Sequence, residues 1–326
     1  MNERLDRAAT ILREATSVAL ACHVNPDPDA LGSMLGLSNH LRTMGKETIC
    51  SFPNEPFEPP RWIAVLPGAD ALVPPSGFPK DPAVTVTCDV ASIDRLGTLA
   101  APALRARHLI WIDHHVSNEG LGSVPLIDPD ASSTCEVVWR LLERLGGAIG
   151  ADTAACLYAG LVTDTGRFQY QAVTPETIRV AARLREFPFD HTRLVQALYE
   201  DNSLGYLRLL AVALDRVVLD EDADLVWTYL LQSDLVSAGI GGGEADDLID
   251  VIRTAREADV AAVLKQQGDG HFKVSLRSKG DHNVAAVASA FGGGGHRLAA
   301  GYTSTGGLGE TVDAITAALR EDVVRI

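Results

Sequence analysis

One imidazole and two carboxylates stand close together in His23-Val24-Asn25-Pro26-Asp27-Pro28-Asp29. Hard oxygen ligands joined by an imidazole form a donor set for Mn²⁺ or another first-row metal rather than Ca²⁺, which prefers oxygen alone. The same residue types recur further along as Asp89, Asp113-His114-His115 and Asp164. Brought together, Asp27, Asp29, Asp89 and Asp164 repel and raise one another's pKa unless cations neutralise them. Two divalent ions match those four charges, with His23 and His114 completing the shells. Two metals about 3.5–4 Å apart suit phosphoryl hydrolysis, because they generate a nucleophile at neutral pH and stabilise phosphoryl charge. Each piece has a plainer reading. A single Asp at a strand end is more often a cap or turn former, Asp164-Thr-Gly can end a helix, and a His-His pair can be solvated. The proline-stiffened HxxxDxD run is the hardest to dismiss, and the joint set is far less accidental than any member.

A second signal lies in Phe291-Gly292-Gly293-Gly294-Gly295-His296-Arg297. Consecutive glycines cost backbone entropy and are expected where backbone N–H groups approach an anion closely. The run lacks the Lys-Ser/Thr of a triphosphate-binding loop and the spacing of a dinucleotide fingerprint. Were His296 and Arg297 not attached, a flexible loop would be the better reading. Upstream, Ser275-Leu276-Arg277-Ser278-Lys279 ends a strand with two cations. Arg277 is suited to clamp a phosphate bidentately; an exposed strand-end arginine is the plainer alternative. Gly241 to Gly243 reads as a helix entry. His40, His108, His191, His271 and His282 have no partners in the pattern and read as structural or surface residues.

These groups need a scaffold that brings distant segments together. Apolar runs over 17–22, 46–52, 83–88 and 108–112 read as strands of a parallel sheet. Helical patterns lie over 2–15, 32–44, 99–107, 134–145, 152–161 and 174–185, with Gly32-Ser33 opening the second. This alternation predicts an α/β fold, a doubly wound, mainly parallel sheet with helices on both faces. His23, Asp27 and Asp29, then Asp89, then Asp113, His114 and His115 each follow a strand, and carboxyl ends in such a sheet share one rim. Residues 188–215 read as a helical linker. Beyond it, strands over 224–231, 258–266 and 271–278, a Gly268-Asp269-Gly270 hairpin turn, and helices over 244–256, 283–290 and 309–322 predict a smaller α+β domain. The expected organisation is 1–187, the linker 188–215, and 216–326.

The chain has 326 residues and a formal net charge of −15. Long duplex nucleic acid needs a basic face, so it is not the expected partner, whereas a small phosphorylated ligand held by metal and local cations remains compatible. Cys22, Cys50, Cys88, Cys135 and Cys156 show no CxxC spacing and predict reduced thiols and a cytoplasmic location. The amphipathic N-terminal stretch does not read as a signal peptide, and no apolar run is long enough to span a bilayer.

HVNPDPDALGS, the strand-end Asp89, IDHH at 112–115 and VTDTGRF at 162–168 resemble the four motifs of the DHH phosphoesterase superfamily. SLRS at 275–278 with FGGGGHRLAAG at 291–301 resembles its associated DHHA1 domain. Length and second domain are similar to the nanoRNase subfamily, which implies oligoribonuclease and 3′-phosphoadenosine-5′-phosphate (pAp) phosphatase activity, with cyclic di-AMP phosphodiesterase activity among actinobacterial relatives. The resemblance implies two Mn²⁺ ions, with Mg²⁺ or Co²⁺ as alternatives: one held by His23, Asp27 and Asp89, the other by Asp29, Asp89, His114 and Asp164, with Asp89 bridging. It implies that His115 lies behind the ligands or touches the phosphate, and that Asn118 contacts phosphate. Arg277, Gly293, Gly294, Gly295 and His296 would grip the far end of the substrate. A homodimer is implied as well. CDVAS at 88–92 departs from the more usual Val-Asp of the second motif but keeps the carboxylate.

The expected reaction is metal-dependent phosphodiester hydrolysis of short oligonucleotides, pAp or cyclic dinucleotides, with Asp89 and His115 as catalytic residues. The leaving ribose oxygen is helped away by His115 or a water. One alternative is a family II inorganic pyrophosphatase, which shares the first-domain motifs; the GGGGH loop in place of its Ser-Arg-Lys-Lys-type cluster weighs against it. A non-catalytic nucleotide sensor is disfavoured by the intact candidate ligands. A processive single-strand exonuclease lacks a basic groove signal.

Overall fold

The computed structural model describes residues 1–118 and 120–320, which divide into two compact units, 1–201 and the residues from 202 onward. In the first, α1 (Asn2–Glu14), β1 (Ser17–Cys22), α2 (Pro28–Thr43), β2 (Glu47–Ser51), β3 (Val84–Cys88), α3 (Ala100–Arg105), β4 (His108–Asp113), β5 (Val124–Ile127), α4 (Thr134–Leu145), α5 (Ala151–Asp164), α6 (Pro175–Leu184) and α7 (His191–Tyr199) follow in order. The five strands form one parallel sheet in the order β2-β1-β3-β4-β5. β3 is buried at every position because helices cover both faces. Leu20, Leu31, Leu35 and Ile110 lie in one core and Trp111, Leu96 and Leu99 in another.

The order of strands reverses between β1 and β3, whose last residues, Cys22 and Cys88, are paired neighbours. That reversal opens a crevice outside the carboxyl ends of those strands. His23 and Asp89 are the residues immediately after them. Helices α2 and α5 cross closely at glycines. A Cβ at Gly32 would lie 2.4 Å from the Cys156 carbonyl oxygen, and one at Gly160 would lie 2.7 Å from Asp29 Cα and 2.4 Å from Cys135 Sγ. The crossing therefore lets the first turn of α2 and the last turn of α5 present carboxylates to one place.

The second unit holds α8 (Leu204–Asp215), β6 (Val218–Asp220), β7 (Leu225–Leu230), α9 (Gln232–Ala238), α10 (Leu248–Ile252), β8 (Val260–Gln266), β9 (Phe272–Ser278), α11 (Val284–Ala290), β10 (Gly294–His296), β11 (Ala299–Ser304) and α12 (Leu308–Leu319). Its sheet runs β10-β11-β9-β8-β7-β6, antiparallel except for β7 against β8. Leu264, Val274, Leu276, Val287 and Ile315 centre its core.

Several expectations need correction. Helix α2 starts at Pro28, not Gly32, because Asp27 caps it by accepting from Ala30 N at 2.9 Å and proline is favoured at the first helical position. Strand β5 carries too short a pattern to stand out. In the second unit the sequence signalled three strands; β6, β10 and β11 are also present, and residues 294–296 of the supposed glycine loop are edge strand. The helix expected over 244–256 is a 3₁₀ turn at Gly242–Ala245 followed by the short α10. The segment 188–215 is divided, α7 falling in the first unit and α8 in the second. The last two positions of the helix expected over 309–322, and the end of the domain expected over 216–326, lie outside the described residues.

Candidate metal centre

The crevice gathers side chains from five segments. The β1–α2 loop supplies His23 and Asp27, and the first turn of α2 supplies Asp29. The residue after β3 is Asp89, which adopts a left-handed φ of 60° while its N–H donates to Ile112 O of β4 at 2.9 Å. Asp tolerates that region better than most residues, and the bond to the neighbouring strand holds it there. Asp113 ends β4, His114 and His115 follow, and Asp164 is the last residue of α5.

Distances show which groups converge. His23 Nε2 lies 3.4 Å from Asp89 Oδ2 and 3.6 Å from Asp27 Oδ2. His114 Nε2 lies 3.3 Å from Asp164 Oδ2 and 3.8 Å from Asp89 Oδ1. Two groups, His23 with Asp27 and Asp89, and Asp29 with His114 and Asp164, each have donor atoms within 4.8 Å of one another; so do Asp89, His114 and His115. Donors sharing a cation at about 2.1 Å sit roughly 3–3.5 Å apart, so each of these sets is close to the spacing at which it could hold a metal ion. Asp89 has one oxygen toward His23 and the other toward His114 and His115.

Electrostatics point the same way. His23 and Asp89 are 5% and 3% exposed and Asp29 1%. Burial, then the charge of Asp89, pushes Asp29 up to about 7. Asp164 is raised well above the carboxylate range by burial and by Asp29 and Asp89. Burial opposes charging of His23, yet its bonds to Asp27 and Asp89 bring it up to about 10. Asp27 is held down near 2: burial opposes this, but the His23 bond prevails. The buried carboxylates thus favour positive charge among them, whether as protons or as a cation.

Further residues, absent from the expected site, support these groups. The N-terminus of α4 receives the Asp29 carboxylate: Thr134 N donates to Oδ2 at 2.7 Å and Cys135 N to Oδ1 at 2.9 Å. The Thr134 hydroxyl donates to Asp89 Oδ1 at 2.9 Å. Ser133 caps α4, accepting from Glu136 N, and buried Glu136 accepts from Ser132 and Thr177 and pairs with Arg140. In the sequence, Ser-Ser-Thr-Cys-Glu before an amphipathic run signals a helix cap; nothing local says that the cap also grips a carboxylate more than a hundred residues away. Arg95 Nη2 lies 2.9 Å from His23 Nδ1. Asp113, fully buried, accepts from His115 Nδ1 at 2.7 Å and from Asn118 Nδ2. Asn118 also donates to Val90 O and accepts from Gly120 N. Its amide hydrogens are therefore spent on the protein, and it buttresses Asp113 rather than offering them to a phosphate.

In the second unit, His296, Ala299 and Arg277 are successive partners across β10, β11 and β9. Directly opposed residues share a face, so His296 and Arg277 stand on one side with a methyl between them. Arg277 Nη1 donates to Leu276 O at 3.1 Å, and Nε lies 3.8 Å from Asp250 Oδ1. Gly293 and Gly295 serve packing: a Cβ would lie 2.2 Å from Gly301 O and 2.5 Å from Ala299 O respectively, whereas Gly294 faces open space. Lys279 is taken up by the Ala255 and Ala258 carbonyls. His282, read as partnerless, bonds Asp259 Oδ2 at 2.9 Å.

All five cysteines are free and buried, and among the described residues no helix is long and apolar enough to cross a membrane. Residues 17–161 match the DHH family, N-terminal domain, and 227–324 match the DHHA1 domain. A bifunctional oligoribonuclease and PAP phosphatase, NrnA of Thermus thermophilus, is 31% identical over 325 residues, covering 99% of this chain and 95% of that protein. The cyclic-di-AMP phosphodiesterase GdpP of Geobacillus thermodenitrificans is 27% identical over 95% of this chain, which spans 48% of that longer protein. The crystal structure of an exopolyphosphatase-related protein from Bacteroides fragilis superposes with a TM-score of 0.91 at 25% identity, covering 98% of this chain and 96% of that one.

Proposed function

This chain belongs to the DHH family, and we propose that it is a metal-dependent phosphoesterase acting on short nucleotides: linear di- and oligoribonucleotides, pAp or cyclic dinucleotides. The observation that carries this reading is the convergence on Asp89 of two imidazole–carboxylate groups at ligand spacing. Relatives named for oligoribonuclease, PAP phosphatase and cyclic-di-AMP phosphodiesterase activity support the substrate class.

In this proposal His23, Asp27 and Asp89 hold one divalent cation and Asp29, Asp89, His114 and Asp164 a second, with Mn²⁺ favoured by the mixed oxygen and nitrogen donors. Cations held there would supply positive charge to the phosphoryl oxygens and lower the pKa of a water. The protein's own groups do the rest. Thr134 and the α4 N-terminus fix Asp89 and Asp29, so that the ligands are ordered before substrate arrives. Asp113 holds the Nδ1 proton of His115, which sets its tautomer. Burial opposes charging of His115, but the Asp113 bond raises its pKa, so a proton is available at Nε2. As the water oxygen bonds to phosphorus and the P–O bond to ribose breaks, that proton passes to the leaving ribose oxygen, while the water gives up one proton to solvent and solvent returns one to His115 Nε2, so that no net proton is consumed. Arg277, Gly294 and His296 are proposed substrate contacts of the DHHA1 domain.

A Mn²⁺-supplemented panel of pApA, cyclic di-AMP, pAp and pyrophosphate tests the reading. Turnover of at least one nucleotide well above pyrophosphate is expected; pyrophosphate as the preferred substrate, or no metal-dependent turnover at all, overturns it.

A further inference from the structure

Arg95 lies outside every motif described above. It sits in the 3₁₀ turn Ile93–Leu99 that follows Asp89. Its carbonyl accepts from Val24 N at 2.9 Å, which ties the turn to the His23–Asp29 loop. The residue is exposed, yet Nη2 reaches within 2.9 Å of His23 Nδ1. Asp27 and Asp89 flank the same imidazole on its other nitrogen. Among the described residues, none of the ion pairs found includes Arg95. A guanidinium at the edge of an acidic centre, left without a carboxylate partner, is poised for an anion from outside.

His23 Nδ1 also lies 2.8 Å from Val24 O. One ring nitrogen serves only one of these two neighbours, and at most one of the five guanidinium N–H donors of Arg95 is directed at it. The rest of the fork is free to meet an acceptor that approaches the acidic centre.

We infer that Arg95 is a phosphate-binding residue of the first unit, engaging two oxygens of a substrate phosphate at the edge of the His23–Asp27–Asp89 group. The inference deepens the phosphoesterase reading and rests on it. A planar guanidinium matches phosphate geometry in a way a lysine does not.

The test compares Arg95→Ala, Arg95→Gln and Arg95→Lys with the wild-type chain. Calorimetry in Mn²⁺ measures binding of 5′-AMP and of inorganic phosphate, a separate titration measures Mn²⁺ itself, and pApA kinetics split KM from kcat. Arg95→Ala is expected to weaken 5′-AMP and phosphate binding about 10- to 100-fold and to raise KM, with Mn²⁺ affinity within about threefold. Arg95→Lys keeps charge and recovers part of the loss. Arg95→Gln keeps a donor for His23 but not the charge, and stays weak. Unchanged anion affinity in Arg95→Ala overturns the proposal. So does recovery in Arg95→Gln, or loss of Mn²⁺ binding in step with phosphate binding, because Arg95 would then merely hold His23. If the alanine variant fails to fold by circular dichroism, the lysine–glutamine pair decides. Wild-type protein that binds phosphate but turns over no nucleotide defeats the substrate reading while leaving the Arg95 comparison measurable.

Discussion

In the first unit His23, Asp29, Asp89 and Asp113 are 5, 1, 3 and 0% exposed, whereas in the second every residue of β10, from Gly294 to His296, is exposed. The contrast follows from the two sheets. A parallel sheet covered on both faces delivers its loops into a crevice, where polar groups avoid the cost of burial only by bonding one another. Asp29 is therefore held by α4, Asp89 by Thr134, and His115 by Asp113. An antiparallel sheet can end in an open edge strand, and there the candidate contacts are placed by backbone register. The first arrangement suits groups that must keep ångström spacing around a cation. The second suits groups that meet a ligand and let it go. Substitutions in the two regions should fail differently.

The largest expected effect is at Asp89. Asp89→Ala removes the carboxylate that faces His23 with one oxygen and His114 with the other and should cut kcat on the preferred nucleotide by about a thousandfold or more, with the fold retained by circular dichroism. Activity within about tenfold of wild type would break the claim that Asp89 bridges. Thr134→Val comes next. It deletes only the hydroxyl that donates to Asp89, keeps the backbone N–H to Asp29, and should lower Mn²⁺ affinity or kcat by about 10- to 100-fold. A Mn²⁺ titration checks it. A KM effect alone would mean that Thr134 belongs functionally with the exposed region.

Thr134 also marks where the sequence stops being informative. The ligand candidates are legible because chemistry restricts them to few residue types and because each follows an apolar run that predicts a strand. Their supports are not: Thr134 and Ser133 look like any helix cap, and Asn118 like a phosphate contact rather than a buttress for Asp113; nor is Arg95, which looks like any loop arginine. What selects these roles is a long-range approach, such as α2 against α5 at Gly32 and Gly160, which no local pattern encodes. In the second unit the same limit hid β10 and β11. Glycine weakens strand patterns, yet Gly293 and Gly295 are there because adjacent backbone leaves no room for a Cβ.

The second unit sharpens the comparison through exposed Gly294 and half-buried Arg277. A Cβ at Gly294 meets nothing within 4 Å, so Gly294→Ala should leave the melting temperature unchanged. If a ligand approaches that backbone, it should raise KM by about tenfold with kcat and Mn²⁺ affinity spared. Arg277→Ala should behave alike through loss of a charged donor. Should either variant lose kcat and metal together, the separation of chemistry from grip between the two regions does not hold.

The last effect is a pH dependence that the buried region should carry. Without metal, Asp29 folds with a pKa of about 7 against 3.8 in the unfolded chain, and His23 with about 10 against 6.5. Both are raised, so the stability each contributes is complete below its unfolded value and disappears as pH climbs through the folded one; raised Asp164 adds the same sign. In the second unit the Ser278 and His282 bonds, working against burial, hold Asp259 below the usual range. Its contribution is present above pH 3.8 and is lost only as acid reaches the folded value. Metal-free protein in EDTA should therefore melt progressively lower from about pH 5 to about pH 7, by about 2–4 °C for each kcal/mol lost; above pH 7, Lys265 of the second unit, lowered to about 7 by burial, works the other way. Saturating Mn²⁺ should flatten or reverse the slope, since the cation replaces the protons that Asp29, Asp164 and His23 release. Scanning calorimetry with and without metal checks both limbs. A metal-free melting temperature that rises across this range would mean that the carboxylates are not packed against one another, and the contrast between a cross-bonded crevice and an open edge would lose its physical cause.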